Sequence, residues 1–122
     1  MKVLLADDDR LLTQLLSTKL RSKGVEVSVA HDAMQAFMSA LRTQPDVIVL
    51  DVQMPGGTGL EALRKLKAST KTSGIPVVVL SGSVEPEASV AIKQLGAVEF
   101  LLKPVDPDAL HQVLCAVLSS ST

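Results

Sequence analysis

Short, wholly apolar runs alternate along this chain with longer stretches in which apolar residues recur every three or four positions. Lys2–Ala6 has the first pattern and predicts a buried strand. Arg10–Ser22 has the second and predicts a helix, with Leu11, Leu12, Leu15, Leu16 and Leu20 on its inner face and Lys23-Gly24 ending it. Val25–Ala30 alternates apolar with polar Glu26 and Ser28, which suits a strand near a sheet edge. Asp32 can cap a helix to about Thr43 that turns Ala33, Phe37, Ala40 and Leu41 inward. Pro45 breaks the pattern, and Val47–Leu50 is again fully apolar.

The alternation continues to the end of the chain. Thr58 can cap a helix over Leu60–Ala68 that buries Leu60, Leu63 and Leu66, and Ser69–Gly74 reads as a polar loop. Val77–Leu80 is a fourth strand. Pro86 suits the first turn of a helix ending near Leu95, where Gly96 can cap it. Val98–Leu102 is a fifth strand, and Pro107 opens a last helix to about Leu118. Residues 1–119 are expected to form one domain, with the tail beyond it frayed.

Five strand–helix units of this kind predict an α/β fold, a doubly wound parallel sheet covered on both faces. Ligands of such sheets bind beyond the carboxyl ends of the strands. Asp7, Asp8, Asp51, Ser81 and Lys103 all fall at those ends. Clustered carboxylates repel one another, and a hard divalent cation relieves that repulsion. A carboxylate can also attack phosphorus to give an acyl phosphate, and a lysine ammonium can hold a phosphoryl oxygen. The pattern thus offers a Mg²⁺ site beside a phosphoryl acceptor.

Composition narrows the picture. Hydrophobic residues make up 47% of the 122, with two Phe, no Trp and no Tyr, so aliphatic side chains must build the core. A net charge of −1 with interspersed signs argues against a direct nucleic-acid partner, which would call for a basic face. Cys115 is the one cysteine, so no internal disulfide forms. No apolar stretch is long enough to span a membrane, and residues 1–6 lack a signal-peptide layout. A cytoplasmic location is expected. His31 and His111 show no partner pattern and read as surface residues; Cys115 reads as an inert helix residue.

Four motifs in order carry a resemblance: Leu4-Leu5-Ala6-Asp7-Asp8-Asp9, Val49-Leu50-Asp51-Val52-Gln53-Met54-Pro55 followed by Gly59, Val79-Leu80-Ser81-Gly82, and Phe100-Leu101-Leu102-Lys103-Pro104. The chain resembles a receiver domain of bacterial two-component response regulators, from residue 1 to about residue 119. The resemblance implies a flavodoxin-like (βα)5 fold with strand order 2-1-3-4-5, an order for which a receiver protein is itself a standard example. It implies that Asp51 accepts a phosphoryl group from a histidine kinase or phosphotransfer protein. Asp8 would contact Mg²⁺ directly, Asp7 through water, and Gln53 through its main-chain carbonyl. Ser81 and Lys103 would bind the phosphoryl group, Phe100 would repack with Ser81, and the Lys103–Pro104 bond would be cis. Gln53 and Ser83 would tune dephosphorylation. Such a domain is a signalling phosphoacceptor that promotes its own phosphorylation and dephosphorylation, and acts on a downstream protein or effector domain.

Departures from common family forms are Asp9, which makes a triple acid and is expected to be exposed, Gly57-Thr58 in place of a hydrophobic–Asp pair, and Phe100 in place of tyrosine. On the last helix Leu110, Leu114, Val117 and Leu118 form a core stripe. Ala109, Val113 and Ala116 form a second row that suits a partner or homodimer surface on the fourth helix, fifth strand and fifth helix. Three other functions fit parts of the pattern: a degenerate receiver acting only by protein interaction, a Mg²⁺-dependent aspartyl phosphatase, and a flavin or nucleotide module. Gln53 stands where the phosphatase would carry a second acid. Asp7-Asp8-Asp9 stands where the nucleotide module would carry glycines.

Overall fold

The computed structural model describes residues 1–53, 59–82 and 86–120. Its elements alternate strictly: β1 (Lys2–Ala6), α1 (Arg10–Ser22), β2 (Glu26–Ala30), α2 (Ala33–Thr43), β3 (Val47–Asp51), α3 (Gly59–Ala68), β4 (Val77–Ser81), α4 (Pro86–Gln94), β5 (Glu99–Leu102) and α5 (Pro107–Ser120). The strands form one sheet in the order β2-β1-β3-β4-β5, parallel throughout. This is the expected flavodoxin-like order. The last helix extends to Ser120, two residues past the expected end near Leu118. Residues 54–58, with Gly57 and Thr58, residues 83–85, with Ser83, and residues 121–122 lie outside the described residues.

Strand alternation divides the core into two halves. Leu4, Ala6, Ile48, Leu50, Val77 and Val79 pack with Ala36 and Ala40 of α2, Ala62, Leu63 and Leu66 of α3, and Ile92 of α4. Val3, Leu5, Val47, Val49, Val78 and Leu80 face Leu16 and Leu20 of α1 and Leu110 and Leu114 of α5. The central strands β3 and β4 are buried along their whole length, as expected of strands sandwiched between helices.

Two of the expected core leucines point the other way. Leu11 is 78% and Leu15 53% exposed. The inner face of α1 instead runs through Leu12, Thr13, Leu16, Ser17 and Leu20. Thr13 and Ser17 can occupy it because their hydroxyls donate to the carbonyls of Arg10 and Gln14, at 3.1 and 3.2 Å. Leu11 and Leu15 lie about 100° away from Leu12 and Leu16 on the helix, which turns them to solvent.

Helix ends follow the local sequence. Asp9 and Asp32 cap α1 and α2, accepting from the N–H groups of Leu12 (3.0 Å) and Gln35 (2.8 Å). Asp9 is exposed, as anticipated. Gly96, with φ of 108°, follows α4 in a left-handed conformation that suits glycine.

Candidate functional site

The carboxyl ends of β1 and β3 are adjacent, since Ala6 pairs with Leu50. The chain therefore delivers Asp7 and Asp51 side by side as it leaves the two strands. One carboxylate oxygen from each of Asp7, Asp8 and Asp51 lies within 4.8 Å of the other two. Asp7 and Asp51 are buried, and Asp8 is exposed. Short turns fix the two buried acids. Asp7 Oδ1 accepts the Asp9 N–H (2.9 Å), and Asp51 Oδ1 accepts the Gln53 N–H (2.9 Å).

Lys103, just past β5, closes the site from the other side. Its Nζ lies 2.7 Å from Asp7 Oδ2 and 3.4 Å from Asp51 Oδ2. Its main-chain N–H donates to the carbonyl of Ser81 (2.8 Å), which ties the end of β5 to the end of β4. The Lys103–Pro104 peptide bond is cis. Ser81 is buried at the end of β4, and Phe100, on β5, is half-buried against the core. The four strand ends thus bring together Asp7, Asp8, Asp51, Ser81 and Lys103.

The charges are unequal. Three carboxylates face one ammonium, and burial pushes the Asp51 carboxyl above its ordinary range. The Asp7 charge adds to that rise, while the Gln53 N–H and Lys103 oppose it. Burial also disfavours the Lys103 ammonium, but the contact with Asp7 and the charges of Asp51 and Asp7 outweigh it and raise its pKa. Asp7 Oδ2 is out of reach of solvent, and among the described residues its charge is answered by the Lys103 ammonium. An excess of hard oxygen donors, one of them short of partners, fits a Mg²⁺-type cation.

Three contacts were not apparent from the sequence. His31 is half-buried, with Nδ1 2.9 Å from the Asp7 carbonyl, so it is no free surface histidine. The pairing of Ala6 with Ala30 at the ends of β1 and β2 places it there, and no linear motif signals that register. His111 Nε2 lies 3.6 Å from Cys115 Sγ one helical turn away; the spacing of four residues could have suggested this pair. Gly82 N–H donates to Gln53 Oε1 (3.2 Å), across the gap between β3 and β4.

The second row on α5 is divided. Ala109 and Ala116 are exposed, but Val113 is half-buried against the core. Val113, Ala116 and Val117 line an open groove of about 550 Å³ with Pro76, Val98 and Glu99; Ala109 is not part of it.

Known proteins share this fold. The sequence matches the response regulator receiver domain family over residues 3–115. It is 32% identical over 109 residues to the DNA-binding response regulator MtrA of Mycobacterium tuberculosis, covering 89% of this chain and 46% of that protein. It is 39% identical over 105 residues to the response regulator PleD of Caulobacter vibrioides, covering 86% of this chain and 23% of that protein. The chain thus spans less than half the length of these curated relatives. Its fold is similar to that of the chemotaxis protein CheY4 of Vibrio cholerae, with a TM-score of 0.90 and 34% identity over 95% of this chain and 97% of that one. A Francisella receiver domain matches with a TM-score of 0.90 and 30% identity, covering 99% of this chain and 98% of that one. Among the described residues no helix is long and apolar enough to cross a membrane. With family match, parallel 2-1-3-4-5 sheet and acidic strand-end cluster in agreement, the chain belongs to the response regulator receiver domains, which are signalling phosphoacceptors.

Proposed function

We propose that Asp51 takes a phosphoryl group from the phosphohistidine of a sensor kinase or phosphotransfer protein. A carboxylate oxygen of Asp51 forms the new O–P bond, the P–N bond of the phosphohistidine breaks, and the imidazole leaves. Lys103 carries the argument: its ammonium stands 3.4 Å from Asp51 Oδ2 while anchored on Asp7 at 2.7 Å, so it is poised to hold a phosphoryl oxygen. Asp7, Asp8, Asp51 and the Gln53 main-chain carbonyl would hold Mg²⁺. When bound, that ion neutralises charge developing on the transferred group. The buried Asp7 Oδ2, faced among the described residues by the Lys103 ammonium, supports this ligand set.

The added phosphoryl oxygens need donors at the sheet's carboxyl end. The Ser81 hydroxyl turns toward them, and Phe100, now half-buried, moves further in. This shifts the population between two states of the α4–β5–α5 face. The groove lined by Val113 and Ala116 supports that face as a surface for a downstream partner or a second copy. Exposed Leu11 and Leu15, on the helix that follows the acids, supply an apolar rim for the phosphoryl donor. Gln53 and Ser83 set how fast the domain loses its phosphoryl group, and the domain works in the cytoplasm. The complete acid set with its lysine favours this function over interaction alone, and Gln53 in place of a second acid disfavours a phosphatase.

Intact mass after incubation with acetyl phosphate tests the proposal. One added phosphoryl group is expected in Mg²⁺, with none in EDTA and none in Asp51→Asn. Normal uptake by Asp51→Asn would sink the assignment.

A further inference from the structure

Gln53 reaches across the mouth of the acidic pocket. Its main-chain N–H donates to Asp51 Oδ1 (2.9 Å), while its side-chain Oε1 accepts the N–H of Gly82 (3.2 Å). One residue thus ties the acceptor carboxylate at the end of β3 to the chain leaving β4. Glycine at 82 allows the approach, because a Cβ there would stand 3.3 Å from the same Oε1, closer than ordinary contact. Gly82 directly follows Ser81, whose carbonyl accepts from the Lys103 N–H. Its N–H therefore sits on the same strand end as the hydroxyl and the lysine.

A phosphoryl group on Asp51 presents three strong acceptor oxygens beside this rim. Main-chain N–H groups are rigid donors for such oxygens. Gly82 offers one, already turned toward an acceptor that projects from the Asp51 side of the gap. The geometry points to Gln53 as a placeholder: its carboxamide oxygen occupies, before phosphorylation, the Gly82 donor that a phosphoryl oxygen would take. Phosphorylation must displace it, so Gln53 acts as a positioning residue that opposes the active state through Gly82. The inference rests on Asp51 being the phosphoacceptor. A neutral hydrogen bond of this kind shifts an equilibrium about two- to tenfold.

The test uses beryllofluoride, a phosphoryl mimic, titrated at saturating Mg²⁺ and followed by fluorine NMR, with amide NMR on the unliganded protein. Gln53→Met keeps the length of the side chain and removes the acceptor; Gln53→Glu keeps an acceptor. The Met variant is expected to bind beryllofluoride about two- to tenfold more tightly than wild type, by the same arithmetic. The Gly82 amide proton should move upfield in that variant. The Glu variant should keep its downfield Gly82 amide and gain no affinity. Wild-type affinity in the Met variant, or an unmoved Gly82 amide, overturns the placeholder alone. A wild-type protein that binds no beryllofluoride overturns the phosphoacceptor assignment and the placeholder with it.

Discussion

Replacing Gly59 by alanine tests how the acceptor loop is held. An added Cβ would lie 2.3 Å from Val52 Cα, 2.4 Å from the Asp51 carbonyl oxygen and 2.8 Å from Val52 C. Carbon atoms in contact normally stand about 3.5–4.0 Å apart, so the overlap exceeds about 1 Å. Every neighbour is backbone, and none can rotate away. The start of α3 must therefore retreat from the end of β3, which breaks the hydrogen bond from Gly59 N–H to the Val52 carbonyl (3.1 Å). Overpacking costs about 1–3 kcal/mol and the lost hydrogen bond about 1 kcal/mol. The better helix propensity of alanine returns at most about 1 kcal/mol. The net loss is about 2–3 kcal/mol, a fall in Tm of about 10 °C for a domain of this size. Thermal melts followed by circular dichroism measure it, with Gly74→Ala as the control. Gly74 has open space around it and a φ outside the left-handed region, so alanine there should be neutral or stabilising by about 0.5 kcal/mol. A Gly59→Ala protein that melts within about 2 °C of wild type would refute the reasoning.

Two further outcomes follow from the charges at the site. Lys103→Met removes the cation that pairs with buried Asp7 Oδ2 and should cost about 3 kcal/mol in EDTA, read by urea unfolding. The cost should shrink in saturating Mg²⁺, and an equal loss in both buffers would contradict the shared cation site. Asp51 has a raised folded pKa, so between its ordinary range and that raised value the folded state holds more protons than the unfolded one. Stability should therefore fall as pH rises through that window, and Asp51→Asn should gain on wild type across it in EDTA; a gap independent of pH would exclude burial of this charge as the cause. Lys103, also raised, gives the same direction in the alkaline range: its contribution is complete below the ordinary lysine range and is lost as pH rises through its raised value.

The alternation of apolar runs with helical periodicity determined the five strand–helix units, because each pattern can bury its apolar side in only one way. It also placed Asp7, Asp8, Asp51, Ser81 and Lys103 at strand ends, where local pattern alone settles position along an element. The Asp32 cap was legible for the same reason: a cap bonds to an N–H three residues away. The Asp9 cap was not read, because Asp9 stood out only as a third acid. The face of α1 was not legible. Periodicity grouped Leu11 and Leu15 with Leu12, Leu16 and Leu20, but the packing of Leu16 and Leu20 against the sheet and α5 left Thr13 and Ser17 on the inner face. The joining of distant segments likewise belongs to tertiary structure. His31 meets the Asp7 carbonyl because β2 lies beside β1, and Gln53 reaches Gly82 because β3 lies beside β4. Sequence fixes which donors and acceptors exist at each strand end; only strand order and register set the few ångströms that decide which of them meet.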